Sequence, residues 1–176
     1  LVGCIGEGNE DEGTLISKSG SYIDVTATKG ETAEEGTGSD VGGLVGHVED
    51  GTTAWVVDSF NKGDITGYEN VGGIIGNNES YGGETEKMLV MTSYNLGCVT
   101  ATHSDLRRNH DALAGRICAT ECGVENCYST GTITGYHRGN SNRTSERGYA
   151  IKSGDGDEPD NYFWLEGSAQ RSYGNN

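Results

Sequence analysis

The stretch that decides the fold is SFNKGDIT at residues 59–66, because it recurs along the chain with the same order of residue types. Its copies are SYNLGCVT at 93–100, CYSTGTIT at 127–134 and a weaker SGSYIDVT at 19–26, with spacings of 40, 34 and 34 residues. Internal repeats of this period indicate a fold in which similar units stack on one another.

A second block precedes each copy of the first. It reads GGLVG at 42–46, GGIIG at 72–76 and ALAG at 112–115, with a truncated LVG at 1–3 and a worn GYAI at 148–151. Because the two blocks alternate in strict order, the repeat units are predicted at about 1–40, 41–70, 71–109 and 110–147. Residues 148–176 then form a terminal coil or cap, in which Tyr162, Phe163 and Trp164 are the capping side chains.

Two β-branched positions recur in every unit and predict an inward stack of side chains. They are Ile16, Val56, Val90 and Val124, and Val25, Ile65, Val99 and Ile133. Gly, Asn, Asp and Ser separate about three short apolar stretches in each unit, which is strand and turn chemistry. The sequence therefore predicts an all-β fold: one parallel β-helix, or solenoid, over residues 1–176, with about five coils and three short strands per coil.

Other equivalent positions predict columns on the same stack. Asn61 and Asn95, with Ser21 and Ser129, are expected to form a polar ladder at a corner, hydrogen-bonded to turn backbone. Thr26, Thr66, Thr100 and Thr134 make another column. The pattern leaves two questions open: the face on which Phe60, Tyr94 and Tyr128 lie, and whether Leu44 or Val45 points inward.

Composition and charge limit the classes of partner that the chain is expected to bind. The chain has 30 Gly, a single Pro and a formal net charge of −15. Such a charge argues against nucleic acid and anionic membrane surfaces as partners. No apolar run approaches the roughly 18 residues of a membrane span, so no direct membrane insertion is expected. Because the sequence opens on LVG, in the middle of a repeat, the array is expected to continue N-terminally.

The two blocks together resemble the GLUG-motif repeat of bacterial surface proteins, carried by GGLVG at 42–46 followed by SFNKGDITG at 59–67. NYFW at 161–164 is similar to the Asn-x-Tyr-Tyr strand that closes such arrays. The first copy departs from the motif at Gly20 and Ile23. The resemblance implies a right-handed parallel β-helix in an extracellular or cell-wall location, as found in adhesins and in the non-catalytic part of immunoglobulin A peptidases.

The function expected from this resemblance is a non-catalytic scaffold or adhesion module of a larger cell-surface protein. Its expected partners are an unidentified host or bacterial surface glycan or protein and the neighbouring domains of the same chain. Trp55 and Tyr81 are candidates for stacking on sugars. The alternatives are a carbohydrate-active β-helix enzyme and the non-catalytic β-helix of a secreted metallopeptidase.

Catalysis has little support in the sequence. The acidic residues cluster in predicted loops at 7–12, 31–35 and 155–160. A glycosidase needs two carboxyl groups roughly 5 to 10 Å apart across a groove. No such pair emerges from the repeat alignment, and the four His residues show no metal-ligand spacing, so the chain is predicted not to be an enzyme and to need no cofactor.

Two local features give candidate binding sites. Asp155, Asp157 and Asp160 lie in DGDEPD, whose Asp-Gly-Asp start resembles the beginning of a calcium loop, although EF-hand spacing is missing. Residues 135–147 are locally basic, which is read either as a solvated corner loop or as a contact site for an acidic glycan or a neighbouring domain.

Five cysteines occur, at Cys4, Cys98, Cys118, Cys122 and Cys127, so at least one is unpaired or pairs outside this sequence. One disulfide among the last three is expected in an oxidising compartment. The alternative is that small buried Cys residues replace Ser at inward positions, since Cys127 aligns with Ser59 and Ser93.

Overall fold

The described part of the chain is all-β. A computed structural model describes residues 1–6, 13–29, 38–79, 88–102, 114–120, 122–138, 144–146 and 163–164. These ranges contain β-strands and no helix, and therefore no helix that could cross a membrane. The all-β class predicted from the repeats is confirmed.

Strands recur in the same order in four repeats. The first repeat contains β1 (Val2–Ile5), β2 (Thr14–Ser17), β3 (Gly20–Ser21) and β4 (Val25–Thr26). The second repeat contains β5 (Val41–Gly42), β6 (Val45–Val48), β7 (Ala54–Val57), β8 (Phe60–Asn61) and β9 (Ile65–Gly67). The third repeat contains β10 (Val71–Gly72), β11 (Ile75–Asn78), β12 (Met88–Met91), β13 (Tyr94–Asn95) and β14 (Val99–Ala101).

The fourth repeat is shorter. It contains β15 (Ala114–Gly115), β16 (Gly123–Glu125), β17 (Tyr128–Ser129) and β18 (Ile133–Thr134). The strands β19 (Tyr136–Arg138), β20 (Thr144–Glu146) and β21 (Phe163–Trp164) follow.

Equivalent strands of successive repeats pair in parallel. The sheets have the orders β1-β6-β11, β15-β10-β5, β16-β12-β7-β2, β21-β17-β13-β8-β3 and β18-β14-β9-β4. Each of these sheets thus takes no more than one strand from any repeat, an arrangement consistent with a β-helix. The exception is an antiparallel pair, β19 with β20, within the segment that was predicted as a corner loop.

The number of strands per repeat differs from the prediction. Three were expected, whereas the second and third repeats each contain five. One of the corners that divide the additional strands lies between β7 and β8, and it recurs at the same place in the other repeats. Its residue adopts the left-handed region in each copy: φ is 49° at Lys18, 50° at Asp58, 46° at Thr92 and 52° at Asn126. Residues other than Gly are rare in this region, although Asn and Asp adopt it more often than most, so Asp58 and Asn126 carry a weak signal for the corner and Lys18 and Thr92 carry none.

The predicted inward columns are confirmed by register. Val56 pairs with Ile16 and Val90, and Val90 in turn pairs with Val124. Ile65 and Val99 hold the same positions in the second column, and all four central residues are fully buried. Leu44 and Val45 are both buried, because the chain turns between β5 and β6 and the strict alternation of a strand is interrupted there.

One part of the repeat alignment was wrong. ALAG at 112–115 was matched to GGLVG, but Ala114 and Gly115 pair with Val71 and Gly72. The true counterpart of GGIIG is therefore GRICA at 115–119, with a single parallel bridge between Ile75 and Cys118. Arg116 stands where the second and third repeats have Gly43 and Gly73.

Polar ladders run beside the apolar columns. Asn61 Nδ2 donates to Asn95 Oδ1 at 2.9 Å, and both carboxamides donate to the carbonyl of the residue two positions later. A hydroxyl ladder lies next to it, in which the Ser19 amide donates to Ser59 Oγ and the Ser59 amide donates to Ser93 Oγ. The polar ladder predicted at Asn61 and Asn95 is confirmed.

Candidate functional site

The outward side of β2, β7 and β12 is apolar except at Ser17, which pairs with Val57. In β7 the side chains alternate, with Ala54 and Val56 buried and Trp55 and Val57 partly exposed. Trp55 lies between Leu15 and Leu89 in the register of the sheet, and Val57 lies beside Met91. We call these five residues, Leu15, Trp55, Val57, Leu89 and Met91, the outer platform.

Trp55 is held against the repeat before it. A Cβ atom at Gly13 would overlap the six-membered ring of Trp55, so the indole lies directly over the backbone at Gly13. The fold thereby fixes the ring on the outside of the sheet, next to Leu15, which is 61% exposed. A fixed indole beside aliphatic side chains presents a rigid apolar surface that can contact a sugar ring or a protein side chain.

An aromatic column borders the outer platform across the corner at Asp58 and Thr92. Phe60, Tyr94 and Tyr128 point outward and stack, with ring centroids 5.2 and 4.9 Å apart and interplanar angles of 10° and 12°. This settles the open question about their face. Because each ring covers the face of the next, the column exposes mainly ring edges and hydroxyl groups, and it offers a ligand less stacking surface than Trp55 does.

Tyr22 and Lys62 cover the N-terminal end of the aromatic column. Tyr22 meets Phe60 edge to face at 5.2 Å, and Lys62 Nζ lies 5.1 Å from the Tyr22 ring and 5.2 Å from the Phe60 ring. The cation is therefore fixed by two π faces. The exposed polar corner of Asp58 and Thr92, whose side chains hydrogen-bond to each other, separates the aromatic column from the outer platform.

A polar cluster, the His47 cluster, lies on the outer side of the sheet formed by β1, β6 and β11. His47 Nδ1 is 3.1 Å from Asp40 Oδ2, and its Nε2 is 3.7 Å from Glu79 Oε2. Cys4 pairs with His47 in the sheet and its thiol donates to Glu49 at 3.6 Å. We define the cluster as Cys4, Asp40, His47, Glu49 and Glu79.

The environment of Cys4 disfavours a reactive thiolate. Desolvation raises the pKa of the Cys4 thiol, and the carboxylates of Glu49 and Glu79 raise that pKa further. A nucleophilic cysteine needs the opposite environment, with cations or helix N-termini nearby. Within the described ranges no group of three His, Cys, Asp or Glu side chains could hold a metal ion. His47 lies between the carboxylates of Asp40 and Glu79.

Sequence reasoning missed the His47 cluster because its members come from three repeats and have no common spacing. Part of the cluster could have been found by aligning LVG at 1–3 with GGLVG at 42–46, because this alignment places Cys4 beside His47. Of the other predicted residues, Trp55 lies on the outer platform. Tyr81 and the calcium candidates Asp155, Asp157 and Asp160 lie outside the described residues.

Both alternatives predicted for the cysteines are found: one disulfide forms among the last three, and the remaining cysteine of the three replaces a Ser at an inward position. Cys118 and Cys122 form a disulfide, and both are buried in the core. Cys127 is a buried free thiol that replaces Ser at the end of the hydroxyl ladder, and its sulfur lies 3.2 Å from the Glu125 carbonyl oxygen. Burial raises the pKa of Cys127 to about 11, so this thiol is inert at neutral pH.

Arg116 is fully buried in the fourth repeat. Its burial lowers the pKa of the guanidinium, while the nearby Cys98 thiol acts in the opposite direction. Arginine at this depth is unusual, since charged side chains are almost never fully buried unless their polar groups are satisfied.

The chain matches no protein-family model, and neither a curated protein nor a solved structure shows significant similarity to it.

Proposed function

We propose that residues 1–176 form a single right-handed parallel β-helix of about five coils, as the resemblance to GLUG repeats implies. The five-stranded sheet β21-β17-β13-β8-β3 supports this coil count, because it contains one strand from each of five successive passes. The right hand is supported by the general rule that crossovers between parallel strands of one sheet are right-handed.

The proposed role is that of a non-catalytic extracellular scaffold and adhesion module in a larger bacterial cell-surface protein. The Cys118–Cys122 disulfide supports an extracellular location, since disulfides persist in oxidising compartments. The proposed partners are a host or bacterial surface glycan or protein and neighbouring domains of the same chain.

The observation that carries the proposal is the outer platform. Five apolar side chains, with an indole held over Gly13, lie on one outward sheet face beside the aromatic column. A soluble chain rarely exposes a contiguous apolar surface unless that surface makes contacts. Trp and Tyr are also the residues most enriched at binding hot spots.

Binding assays with a platform variant test this role. The labelled chain is applied to immobilised bacterial and mucosal glycans and to intact bacterial and epithelial cells. Replacing Trp55→Ser together with Leu89→Thr removes the apolar contacts while the inward residues stay in place. We expect binding to fall by roughly tenfold or more, in line with the loss of a hot-spot aromatic residue.

The matched control is Thr100→Ser, an outward substitution on β14 in a different sheet. It should bind like the unmodified chain, and circular dichroism should be the same for all three proteins. Equal binding by the platform variant, or no binding to any of these surfaces, would refute an adhesive role for the outer platform.

A carbohydrate-active enzyme remains the second candidate, and the His47 cluster is the observation that favours it. Asp40 and Glu79 flank one imidazole on an outer sheet face, where a polysaccharide could reach them. Incubation with polysaccharides, followed by reducing-end analysis, tests this candidate. Cleavage that disappears in Glu79→Gln and His47→Ala would replace the scaffold proposal by an enzymatic one, and absence of cleavage would support the scaffold. The other alternative, the non-catalytic β-helix of a secreted metallopeptidase, predicts the same inactivity for this chain.

A further inference from the structure

The methionines of the chain lie on opposite faces of one strand. The sequence contains two Met residues, and both belong to β12, as Met88 and Met91. Met88 is 1% exposed and packs in the core cluster that also contains Val56 and Val90. Met91 is partly exposed and belongs to the outer platform. One thioether is therefore closed off from small solutes, and the other can be reached by them.

Met91 continues an apolar row and also meets an acidic residue. It pairs with Val57 of the second repeat on one side and with Glu125 of the fourth repeat on the other. Paired residues on one face of a sheet are side-chain neighbours. The sulfur atom thus lies where the outer platform ends and a carboxylate begins.

Oxidation of this sulfur changes the character of the surface. Hydrogen peroxide turns a methionine thioether into a sulfoxide, which is polar. A sulfur lone pair attacks one peroxide oxygen, the S–O bond forms as the O–O bond breaks, and hydroxide departs. The proton of the transferred hydroxyl group then passes to this hydroxide, which leaves as water. Sulfur has lost two electrons, and the peroxide has gained them.

The new sulfoxide oxygen finds no donor in either side chain that pairs with Met91. Val57 is aliphatic, and an ionised carboxylate such as that of Glu125 only accepts hydrogen bonds. The oxygen is therefore left to water, and a ligand that covers the outer platform has to remove this water at a cost in free energy.

We propose that Met91 is a modification site, at which a peroxide oxidises the thioether and makes the outer platform polar at one end, while the core protects Met88. The inference rests on the proposed adhesive function for its consequence, which is weaker binding by the outer platform. The modification is reversible in principle, because methionine sulfoxide reductases restore the thioether.

Peptide mass spectrometry of the native chain, treated with hydrogen peroxide at neutral pH, follows both methionines in one sample. Met91 should gain an oxygen atom roughly tenfold or more faster than Met88, because peroxide reaches Met88 only when β12 opens. In concentrated urea, where the chain is unfolded, the two rates should be equal. Equal rates in the folded chain would show that the proposal is wrong.

The apolar surface itself is measured with Nile red, an uncharged dye whose fluorescence rises on apolar surfaces. Peroxide should lower the dye signal of the native chain and of Met88→Leu, but not that of Met91→Leu. Each protein is compared with its own untreated sample, so the effect of the substitution does not enter. A signal that peroxide leaves unchanged in the native chain, or lowers equally in Met91→Leu, contradicts the proposal. Circular dichroism should stay constant, and a loss of strand signal would contradict it too.

Enzymatic repair separates methionine from cysteine oxidation. The oxidised chain is incubated with a dithiol alone or with the dithiol and methionine sulfoxide reductases A and B, one for each sulfoxide epimer. The enzymes return sulfoxide to thioether and water, while the dithiol becomes a disulfide. The dye signal should recover only with the enzymes. Recovery with the dithiol alone would assign the loss to Cys4 or Cys98, the free thiols of the described chain that are not buried, and the proposal would fail.

The consequence for adhesion is tested on the glycans and cells used for the platform variant. The chain oxidised at Met91 should bind roughly fivefold or more weakly, as expected when a contact residue in a binding surface is lost. Unchanged binding by a chain whose dye signal has fallen would refute the proposed consequence. If the native chain binds none of these surfaces, the adhesive function fails, whereas mass spectrometry and the dye still decide whether Met91 is the oxidation site.

Discussion

The third and fourth repeats fill the same part of the core with different residues and with chain segments of different length. Leu89 follows Ile75 by 14 positions in the third repeat, whereas Gly123 follows Cys118, their counterparts in the fourth repeat, by only 5. The arc that forms β6 and β11 is therefore shortened to a single bridge. The Cys118–Cys122 disulfide spans this arc, and its buried sulfur atoms join the core cluster that Ile75 and Met88 occupy in the third repeat.

A second difference concerns one facing pair. Cβ atoms at Gly43 and Gly73 would overlap the carboxamides of Asn61 and Asn95, respectively. In the fourth repeat both partners change, since Arg116 replaces the Gly and Ser129 replaces the Asn. The smaller Ser side chain leaves room where a larger residue has entered. The comparison teaches that a residue larger than Gly at this position needs space on two sides, at the facing Asn and at the backbone carbonyl of the repeat that follows.

The largest expected effect on stability comes from placing a side chain at Gly73 of the third repeat, the position that Arg116 occupies in the fourth. Gly73→Ala places a Cβ onto the Arg116 carbonyl oxygen and the Asn95 carboxamide, and one of these groups must move. Because the contact includes backbone, we expect a loss of more than about 3 kcal/mol in the free energy of unfolding. Chemical denaturation followed by circular dichroism measures it.

The double variant Gly73→Ala with Asn95→Ser sharpens the comparison. It copies the smaller partner of the fourth repeat and should recover part of the loss, but not all of it, because the overlap with the Arg116 carbonyl remains. A double variant that is as unstable as the single one would show that the facing pair does not explain the difference between the repeats.

The next effect concerns Cys127, which takes the place of Ser93 in the fourth repeat. Its folded-state pKa is raised from 9.0 to about 11, so the unfolded chain loses this proton at lower pH than the folded chain does. Stability is therefore unaffected below pH 9 and falls as pH rises from 9 toward 11, by roughly 2.5 kcal/mol at most. Urea denaturation at a series of pH values measures this decline.

Cys127→Ser is the control for that decline. It restores the hydroxyl ladder and removes the titrating thiol, while the other groups titrate as before. The difference in stability between the two proteins should therefore change with pH only above about pH 9. Parallel pH profiles for the variant and the native chain would contradict the burial of this thiol.

The smallest of the three effects is that of the disulfide. Replacing Cys118 and Cys122 by Ser opens a short loop, and loop-closure entropy predicts a loss of about 2 kcal/mol. Because each repeat contacts mainly its neighbours, hydrogen exchange should accelerate in β15 and β16 and much less in β7. Equal acceleration throughout the chain would indicate that the disulfide supports the whole stack and does not replace a missing strand locally.

The sequence predicted well the features that repeat with little change. The columns of Val56 and Ile65 and the Asn61 ladder could be read from spacing, because an inward position tolerates few residue types. The alignment at 112–115 was wrong for two reasons. Arg116 replaces the second Gly of the GGLVG motif, and Leu113-Ala114-Gly115 resembles the end of that motif. Strand number was underestimated because the corner at Asp58 and Thr92 depends on left-handed backbone dihedrals, which Asp adopts more readily than most residues but Thr does not.

The candidate site was less predictable than the fold. Trp55 could be named from its type, but its support by Gly13 depends on the direction in which the indole leans, which spacing alone does not give. The His47 cluster joins Cys4, His47 and Glu79 from three repeats. No column of identical residues marks it, so only the three-dimensional register reveals it.

Two outward aromatic rings, those of Trp55 and Phe60, both pack toward the repeat before them, so the two ends of the stack are not equivalent. Trp55 lies over Gly13, and a Cβ at Gly20 would likewise overlap the ring of Phe60, so both rings reach back over the repeat before them. Peeling away the first repeat by force would strip the support from two aromatic rings at once, whereas peeling from the opposite end would leave both rings seated. A rod assembled in this way should resist pulling differently at its two ends.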